Sequence, residues 1–429
     1  MNPLFKKICV VGLGYIGLPT AAMFASRKLQ VVGVDINKCA VDTINVGDIH
    51  IVEPDLDVLV RTVVSEGLLR AATRPEPADA FLIAVPTPFT GKNHDPDLSF
   101  IEAATLSIAP MLKAGDLVIL ESTCPVGATE SMADWLASAR PDLTFPQTHG
   151  EQSDIRVAHC PERVLPGRVL QELVSNDRVI GGFTDACSRA AAALYQVFVE
   201  GECVFASGPR VAEMAKLTEN SFRDVNIAFA NELSLISDRL GVDVWELISL
   251  ANRHPRVDIL RPGAGVGGHC IAVDPWFIVS AAPDIARVIK AAREVNGSKP
   301  QWVADKAQEM ITRLNSEKGC DTSGQSTVSV ACYGLAFKPD IDDLRESPAV
   351  EVASRLLKAD TVELLVVEPH ISQLPETLNS ATLVTAESAI ASADIHVLLV
   401  GHSQFSSLSL PNSGYVIDAV GLLTNTHTR

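Results

Sequence analysis

The sequence has few cations and no long apolar run. Its 429 residues include 35 Lys and Arg against 52 Asp and Glu, a formal net charge of −17. Non-specific nucleic-acid binding needs basic surface that neutralises phosphates, so an acidic chain is a poor candidate for it. No uninterrupted apolar stretch approaches the roughly 20 residues that a membrane-spanning helix needs. We therefore expect neither nucleic-acid binding nor membrane insertion, and any phosphate-bearing ligand must be held by local cations and backbone amides.

Regularly spaced cysteines are also missing. The nine cysteines are scattered without C-x-x-C spacing, and their number is odd. This pattern indicates neither a disulfide framework nor a zinc knuckle, and we expect no metal site. Thiols without partners are typical of a reducing compartment, so the sequence predicts a cytoplasmic protein. The chain is 47% hydrophobic, and its length suggests two or three domains.

The first residues have the pattern of a nucleotide-binding βαβ unit. A short β-rich run, Lys7–Val11, leads into G-x-G-x-x-G at Gly12, Gly14 and Gly17, and the next predicted strand ends at Asp35. These glycines permit a tight turn, close approach of backbone to a pyrophosphate, and close packing of helix on strand. A carboxylate at the end of the second strand binds the adenosine ribose and repels a 2′-phosphate. The pattern therefore predicts NAD rather than NADP.

Further strands alternate with helix-like segments along the amino-terminal part. This alternation predicts an α/β fold with a parallel, doubly wound sheet. Pro86 and Thr87 follow one predicted strand, and the stretch 122–127 follows the next. Because ligands of such sheets bind at the carboxyl ends of the strands, both loops are candidate parts of a site.

The carboxyl-terminal third repeats this organisation. Val328–Tyr333 predicts a strand that enters a turn at Gly334, and Val362–Val367 predicts a strand that ends at Glu368, as the early one ends at Asp35. We therefore predict a second Rossmann-like domain that lacks the glycine fingerprint. The predicted domain boundaries are 1–208, 209–314 and 315–429, with a linker at about 315–327.

A long helical segment occupies the middle of the chain. Residues 211–240 contain neither Gly nor Pro, and a helix of that length usually packs on more than its own domain. We interpret it as a domain connector and dimer element, with an ordinary core helix as the alternative. Lys216, Asn220 and Arg223 lie near one face of it because they are four and three residues apart. Such a cluster indicates either a site or a solvated polar stripe.

The most unusual stretch precedes Cys270. Four glycines lie between Gly263 and Gly268, and glycines allow backbone to approach a ligand closely. A cysteine presented by such a loop is a candidate nucleophile, and a structural thiol is an equal alternative on spacing alone. Glu162 places a carboxylate at the end of another predicted strand, and 254–256 form a short basic patch.

Taken in order, these motifs resemble the UDP-glucose/GDP-mannose dehydrogenase family. Members of this family oxidise an alcohol of a sugar nucleotide to a carboxylate in two NAD-dependent steps. The stretches CPERVLPG and GVGGHCIAVDP are similar to the branch that acts on UDP-N-acetyl-D-mannosamine, whereas the UDP-glucose branch typically has a Phe-Pro-Lys-Asp segment after the thiol. The resemblance covers nearly the whole chain, through the glycine fingerprint, Val85–Pro88, Ser122–Gly127, Pro161-Glu162, Lys216 with Asn220, Gly267–Asp274 and Gly334–Pro339.

The resemblance implies two Rossmann-like doubly wound domains joined by a long central helix, NAD bound by 1–208, a UDP-sugar bound by 315–429, and a homodimer with a shared active site. The implied catalytic residues are Cys270, Lys216, Glu162, Asn220, Thr123 and Asp274. The implied cofactor-binding residues are Gly12, Gly14, Tyr15, Ile16, Gly17, Asp35, Lys38, Pro86, Thr87, Thr123 and Arg345. The implied substrate-binding residues are Arg163, Val164, Lys216, Asn220, Arg223, His254, Arg256, Gly267, Phe337 and Lys338.

Three alternatives stay open at this point. The substrate can be another sugar nucleotide, such as UDP-N-acetylglucosamine, UDP-glucose or GDP-mannose. One-step hydroxyacid dehydrogenases also pair a Lys and an Asn four residues apart on a helix after a Rossmann domain, but they need no thiol. A protein that only senses NAD would bind the cofactor without turning over any sugar nucleotide.

Overall fold

The computed structural model describes residues 5–91, 94–165, 167–317, 327–359, 361–410 and 415–423. The chain divides into two compact units, Met1–Glu219 and Asn220–Arg429, and each contains a large β-sheet. Within the described ranges, no helix combines the length and the apolar character needed to cross a bilayer.

An eight-stranded sheet forms the centre of the first unit. Its strand order is β3-β2-β1-β4-β7-β8-β9-β10, and β5 and β6 form a separate antiparallel hairpin. The strands are β1 (Lys7–Val11), β2 (Gln30–Val34), β3 (Leu69–Ala72), β4 (Ala80–Ile83), β5 (Phe89–Thr90), β6 (Asp95–Pro96), β7 (Leu117–Leu120), β8 (Arg156–His159), β9 (Arg178–Gly182) and β10 (Cys203–Phe205). All neighbours in the large sheet are parallel except β8 and β9. The predicted doubly wound α/β sheet is confirmed, with one antiparallel pair that the strand–helix alternation did not reveal.

Helices cover both faces of this sheet. They are α1 (Gly17–Ser26), α2 (Lys38–Asn45), α3 (Leu56–Ser65), α4 (Ser99–Ile108), α5 (Ala128–Ala139), α6 (Pro146–His149), α7 (Val169–Ser175) and α8 (Asp185–Tyr195). Successive residues of β1 point to opposite faces, so Ile8 and Val10 join one buried cluster while Cys9 and Val11 join the other. Two apolar cores, one on each face, are what a sheet buried on both sides requires.

Two helices of more than thirty residues come next in the chain. Helix α9 (Pro209–Leu240) has 32 residues and matches the predicted 211–240, and the division between the units falls within it. Helices α10 (Val244–Ala251) and α11 (Asp274–Ala281) separate it from α12 (Arg287–Glu317), which has 31 residues. The sequence did not predict α12, because Gly297 and Pro300 inside it are typical helix breakers. Residues 318–326 of the predicted linker lie outside the described ranges.

The second unit contains a five-stranded parallel sheet in the order β13-β12-β11-β14-β15. Its elements are β11 (Val328–Tyr333), α13 (Pro348–Leu356), β12 (Val362–Val367), β13 (Thr382–Leu383), α14 (Ala386–Ser392), β14 (Ile395–Leu398) and β15 (Tyr415–Asp418). Alternate residues of β11 again enter different cores, Val330 and Cys332 on one face and Ala331 and Tyr333 on the other. The predicted second Rossmann-like domain is confirmed.

Candidate active site

The turn after β1 is built so that only glycine fits at two positions. Gly12 has φ +93°, and a Cβ there would lie 2.3 Å from the carbonyl oxygen of Ala84. A Cβ on Gly17 would lie 1.8 Å from the carbonyl oxygen of Gly12. Gly14 differs, because a Cβ there would meet nothing within 4 Å. The outer side of the turn is therefore open to a ligand, as the predicted pyrophosphate site requires.

The turn leads directly into the amino terminus of α1. Tyr15 and Ile16 immediately precede the helix, and Ile16 is its N-cap without a side-chain cap hydrogen bond. The first turn carries no acidic residue. Free N–H groups at a helix start attract anions, so this end of α1 fits a pyrophosphate.

Asp35 stands at the end of β2 beside this turn. Its Oδ2 accepts a hydrogen bond from Leu13 N at 3.0 Å, and its Oδ1 accepts one from Asn37 N at 2.8 Å. The carboxylate is half-buried and held in place by these two amides. Nearby Lys38, a predicted cofactor contact, points to Asp42, with Nζ 2.8 Å from Oδ2. The Lys38 ammonium is thus paired with Asp42 rather than with Asp35.

Two loops at the carboxyl ends of β4 and β7 are joined to each other. Ser122 Oγ donates a hydrogen bond to the carbonyl of Val85 at 2.7 Å. Beside it, Thr87 Oγ1 is buried and lacks a hydrogen-bond partner within the described residues. Pro86 is exposed and Thr123 is half-buried. The structure thus brings the predicted cofactor residues of both loops to one edge of the sheet.

The predicted base Glu162 is buried, with an exposed fraction of 7%. Its Oε2 lies 2.5 Å from Nη1 of Arg178, and its Oε1 accepts a hydrogen bond from Arg163 N at 2.7 Å. The Arg163 guanidinium pairs with Glu219 at 2.7 Å, and Val164 packs against the first core cluster. Arg178 therefore supplies the positive charge that a buried carboxylate requires.

A second carboxylate lies in the same buried pocket. Glu121 Oε1 accepts a hydrogen bond from the Tyr195 hydroxyl at 3.0 Å, while Oε2 has no partner among the described residues. Burial, and then the neighbouring charge of Glu162, raise the pKa of Glu121 to about 8. The sequence did not predict Glu121 or Arg178, because no local signal links residues so far apart in the chain.

In the second unit, the glycine-rich loop before Cys270 packs tightly on the turn that follows β11. A Cβ on Gly267 would lie 2.5 Å from the Glu346 carbonyl oxygen, and one on Gly268 would lie 2.8 Å from the Phe337 ring. Gly268 also donates a backbone hydrogen bond to the Arg345 carbonyl at 3.1 Å. Cys270 itself is half-exposed. Predicted substrate residues Gly267 and Phe337 are thus in direct contact.

Asn220 and Asp274 are brought together in the same unit. Asn220 Nδ2 donates to Asp274 Oδ2 at 2.5 Å, and both side chains are buried. Asp274 N donates to the Cys270 carbonyl at 2.8 Å, where α11 begins. Of the six predicted catalytic residues, these three lie in the second unit. Thr123, Glu162 and half-buried Lys216 lie in the first.

The predicted phosphate-binding cations lie at accessible positions. Arg223, His254 and Arg256 are exposed, and Lys338 is half-buried. Arg345, the predicted contact to NAD from the carboxyl-terminal domain, has Nη2 2.5 Å from Asp343 Oδ2. A phosphate ligand would have to compete with that carboxylate for the guanidinium.

A cavity of about 300 Å³ opens at the carboxyl edge of the second sheet. Arg261 lines it, with its guanidinium 5.4 Å above the Trp245 ring and Nη2 3.4 Å from the Gly421 carbonyl. The sequence did not predict this arginine as a site residue, although it directly precedes the glycine-rich loop. The other lining residues lie in 262–265, 336–339, 348–349, 399–401 and 420–422.

Cys124, His159 and Glu213 also lie together, with ligand-type atoms within 4.8 Å of one another. Glu213 accepts hydrogen bonds from Gly127 N at 2.7 Å and Thr129 N at 2.8 Å, at the start of α5. Burial lowers the pKa of His159 to about 3. We assign Glu213 to capping of α5, since both of its oxygens accept backbone hydrogen bonds there.

Three family models match consecutive parts of the chain. Residues 6–199 match the NAD-binding domain of the UDP-glucose/GDP-mannose dehydrogenase family, 210–298 match its central domain, and 331–425 match its UDP-binding domain.

Individual relatives are similar over almost their whole length. The chain is 62% identical to an NDP-N-acetyl-D-galactosaminuronic acid dehydrogenase of Ralstonia nicotianae, over 97% of this chain and 96% of the relative. It is 61% identical to a UDP-N-acetyl-D-mannosamine dehydrogenase of Escherichia coli, over 97% and 99%. The solved structure of a UDP-D-ManNAc dehydrogenase from Pyrococcus horikoshii superimposes with a TM-score of 0.85 at 38% identity, over 97% of this chain and 96% of that one.

Proposed function

The chain belongs to the UDP-glucose/GDP-mannose dehydrogenase family and is an NAD-dependent nucleotide-sugar dehydrogenase; we propose that it oxidises UDP-N-acetyl-D-mannosamine at C6 to the uronate. The observation that carries this proposal is the 61% identity, over 97% of the chain, to the Escherichia coli enzyme named for that substrate. The overall change removes four electrons and consumes two NAD. A product of this kind supplies the uronic acid of bacterial surface polysaccharides.

The first unit fits NAD at the turn between β1 and α1. The open side of Gly14, the uncapped start of α1 and the fixed Asp35 carboxylate suit a pyrophosphate and an adenosine ribose. Arg345 and the loops carrying Pro86, Thr87 and Thr123 would complete the site. Bound NAD supplies the hydride acceptor in both oxidations.

In the first oxidation, Lys216 and Asn220 act on the substrate hydroxyl. They lie one turn apart on α9, so both can reach one oxygen. The Lys216 amine takes the hydroxyl proton while the carbon gives up a hydride, which yields an aldehyde. The buried bond to Asp274 fixes the Asn220 amide so that it can orient the substrate.

In the second oxidation, Cys270 holds the aldehyde. Its thiolate adds to the carbonyl carbon, and the oxygen gains a proton, giving a thiohemiacetal. Loss of a second hydride from that carbon, and of the hydroxyl proton, leaves a thioester. Because the aldehyde is bonded to the enzyme, it cannot diffuse away between the two steps.

Hydrolysis of the thioester releases the acid and restores the thiol. We assign the general base to Glu162, with Thr123 and Asp274 positioning the water or its partners. Arg178 keeps the Glu162 carboxylate in one orientation through the 2.5 Å contact. Each Glu162 oxygen has a second lone pair with which it can accept a hydrogen bond from water.

We propose that the domains are 1–208, 209–314 and 315–429, with the last binding the UDP group. The substrate phosphates are held by Arg163, Arg223, His254, Arg256 and Lys338, with backbone groups of Val164 and Gly267 and the side chain of Phe337 beside them. Arginine suits this role because its guanidinium contacts phosphate through two N–H groups.

We further propose a homodimer in the cytoplasm, with His254 and Arg256 reaching the partner's active site. One face of α9 carries Phe222, Phe229, Ile236 and Leu240, exposed by 68, 51, 47 and 69%. Such an apolar stripe is typical of a helix that packs on a second chain. The eight cysteines that the structure describes are thiols, as a reducing compartment favours.

A second candidate is an NDP-N-acetyl-D-galactosaminuronate dehydrogenase, because the Ralstonia relative is 62% identical. To decide, the protein is incubated with NAD and each of UDP-N-acetyl-mannosamine, -galactosamine and -glucosamine, UDP-glucose and GDP-mannose. NADH is followed by absorbance and the acid by mass spectrometry. The proposal predicts two NADH per uronate and the highest kcat/KM for UDP-N-acetylmannosamine. A higher value for the galacto epimer would favour the second candidate, and one NADH per ketone would favour a one-step hydroxyacid dehydrogenase.

A further inference from the structure

Within the second unit, one face of α9 carries four buried polar side chains. Asn220, Asp224, Asn231 and Ser234 have exposed fractions of 7, 0, 0 and 8%. Their spacings of four, seven and three residues place them on the same side of the helix. A buried polar group without a hydrogen-bond partner destabilises the fold. The hydrogen-bond partners of these four side chains therefore identify the segments that this face of α9 positions.

Asn231 connects this face to the first residue of the glycine-rich loop. Its Oδ1 accepts a hydrogen bond from Gly263 N at 2.9 Å, and its Nδ2 donates to Asn296 Oδ1 at 2.8 Å. A backbone N–H can only donate, so the orientation of the Asn231 amide is determined by its partners.

The partners of Asn231 are themselves fixed. Asn296 Nδ2 donates to Asp224 Oδ1 at 2.8 Å and to the Asp224 carbonyl at 3.0 Å. Arg293 Nη1 pairs with the same Oδ1 at 2.6 Å, and both of these charged side chains are buried. On the next turn, Ser234 donates to the Asn231 carbonyl at 2.6 Å. Asp224 Oδ2 and Arg293 Nε have no hydrogen-bond partner among the described residues, but both polar groups of the Asn231 amide are satisfied, which gives Asn231 one position.

The same face of α9 also holds the other end of the loop. Asn220 donates to Asp274, whose backbone N–H donates in turn to the Cys270 carbonyl. The loop between Gly263 and Asp274 is thus attached at both ends to side chains of one rigid helix. Its glycines lose much conformational freedom on ordering, so such attachments determine where the thiol stands.

We propose that Asn231 is a positioning residue that holds Cys270 where its thiolate captures the aldehyde. This inference rests on the proposed function. Asn231 does not contact substrate or cofactor in this proposal. It acts through its hydrogen bond to Gly263 N, which positions the loop that carries Cys270. When the attachment is lost, the first oxidation continues and capture fails more often, so aldehyde leaves the enzyme.

The test compares the products of wild type, Asn231→Leu and Asn231→Gln in the presence of semicarbazide, which traps released aldehyde. Leu keeps the branched shape but removes both polar groups, and Gln moves them by one methylene. The control Ile311→Val perturbs the core at buried Ile311 on α12. The ratio of semicarbazone to uronate is a property of active molecules, so a smaller folded fraction does not change it.

We expect the ratio to rise about tenfold or more in Asn231→Leu and Asn231→Gln, because a displacement of ~1 Å at a reacting centre can cost on the order of 10²-fold in rate. Ile311→Val should keep the wild-type ratio. If Asn231→Leu does not fold, Asn231→Gln decides. A wild-type ratio in the folded Leu or Gln variant overturns the inference. A wild-type enzyme that makes no uronate instead overturns the proposed function.

Discussion

The two sheets of this chain contain the same strand–turn–acid arrangement. Gly12 N donates to the Val34 carbonyl at 2.8 Å, and in the second unit Gly334 N donates to the Val367 carbonyl at 2.8 Å. The two glycines have φ of +93° and +89°.

The residue after each glycine continues the parallel. Leu13 N donates to Asp35 at 3.0 Å, and Leu335 N donates to Glu368 at 2.6 Å. In both units a strand-end carboxylate therefore fixes the turn after the first strand.

The two acids differ in what lies on their outer side. Asp35 is half-buried, whereas Glu368 is buried and lies 3.1 Å from Nε2 of His402. His402 Nδ1 accepts from Asp340 N at 2.9 Å, so this buried imidazole is held in place and covers the Glu368 carboxylate. Although burial raises it, the hydrogen bonds from His402 and Leu335 lower the pKa of Glu368.

The distance from each turn to the next helix also differs. Helix α1 begins at Gly17, directly after the first turn, whereas α13 begins only at Pro348. The first unit therefore offers a helix start directly after its turn, whereas the second has a longer loop there, which carries Lys338, a proposed substrate contact. The same strand–turn–acid geometry thus occurs in the parts of the chain that match an NAD-binding and a UDP-binding domain. The glycine fingerprint accompanies it in the first, where a helix begins directly after the turn.

The largest expected effect tests the proposed role of Lys216 as the base of the first oxidation. Lys216→Met removes the amine from the helix that also carries Asn220. We expect kcat with the sugar nucleotide to fall by about 10²–10⁴-fold, the range for loss of an acid–base group. The affinity for NAD, measured by fluorescence titration, should stay within twofold. An activity above a tenth of wild type would remove Lys216 from the chemistry.

The second effect concerns Glu368, the strand-end carboxylate of the second unit that His402 covers. Glu368→Ala leaves Leu335 N, Ala336 N and His402 without their acceptor. We expect the free energy of unfolding of the second unit to fall by about 3 kcal/mol, because buried donors lose their partners. Urea denaturation measures this value. A loss below ~1 kcal/mol would mean that water replaces the carboxylate and that the site is open.

The matched change in the first unit is Asp35→Ala. Here we expect a smaller loss of stability than for Glu368→Ala, because water reaches the half-buried site and can replace the carboxylate, and a loss of NAD affinity of about 2 kcal/mol, or roughly 30-fold, as for hydrogen bonds to a charged group. Titration with NAD and NADP measures both constants. Weaker discrimination against NADP is expected as well, and unchanged NAD binding would contradict the assigned role of Asp35.

The smallest effect is a contrast in pH dependence. Glu121 has a pKa raised to about 8 by burial, so it is neutral in the folded state where the unfolded chain, with an ordinary value of 4.5, is ionised. Its contribution to stability is therefore present below pH 4.5 and is lost as pH rises through about 8. Glu368 has a lowered pKa, so its contribution is lost as pH falls.

Urea denaturation of wild type and Glu121→Gln between pH 6 and 7.5 tests this contrast. The stability advantage of wild type should shrink by on the order of 2 kcal/mol across the window. A constant difference would show that Glu121 titrates normally despite its burial.

Much of the fold was readable from local patterns. The strands at Lys7–Val11, Val328–Tyr333 and Val362–Val367 begin and end where the apolar runs do. The turn at Gly12 could be predicted because its glycines are close in sequence and have one physical explanation. Helix α12 could not, since Pro300 is buried within it by packing that no local pattern reveals.

The candidate site likewise contains some residues that local sequence patterns reveal and others that they do not. Cys270 stands out because glycines surround it, and Lys216 with Asn220 because helical spacing joins them. Glu121 with Arg178, Asn231 with Gly263, and Glu368 with His402 depend on contacts between residues more than thirty positions apart. Only the folded chain brings such pairs together, so their signals are absent from a single sequence.

The most direct test of the account is the intact mass of the Glu162→Gln variant, quenched with acid during turnover of UDP-N-acetylmannosamine and NAD. Hydrolysis should be slowed while both oxidations proceed, so a sugar-nucleotide acyl group should accumulate on Cys270 after two NADH per site. Peptide mapping should locate it there, and the Glu162→Gln, Cys270→Ser double variant should not carry it. An unmodified Cys270 throughout turnover, or an adduct that persists in the double variant, would contradict the central claim that this thiol carries the aldehyde to the acid.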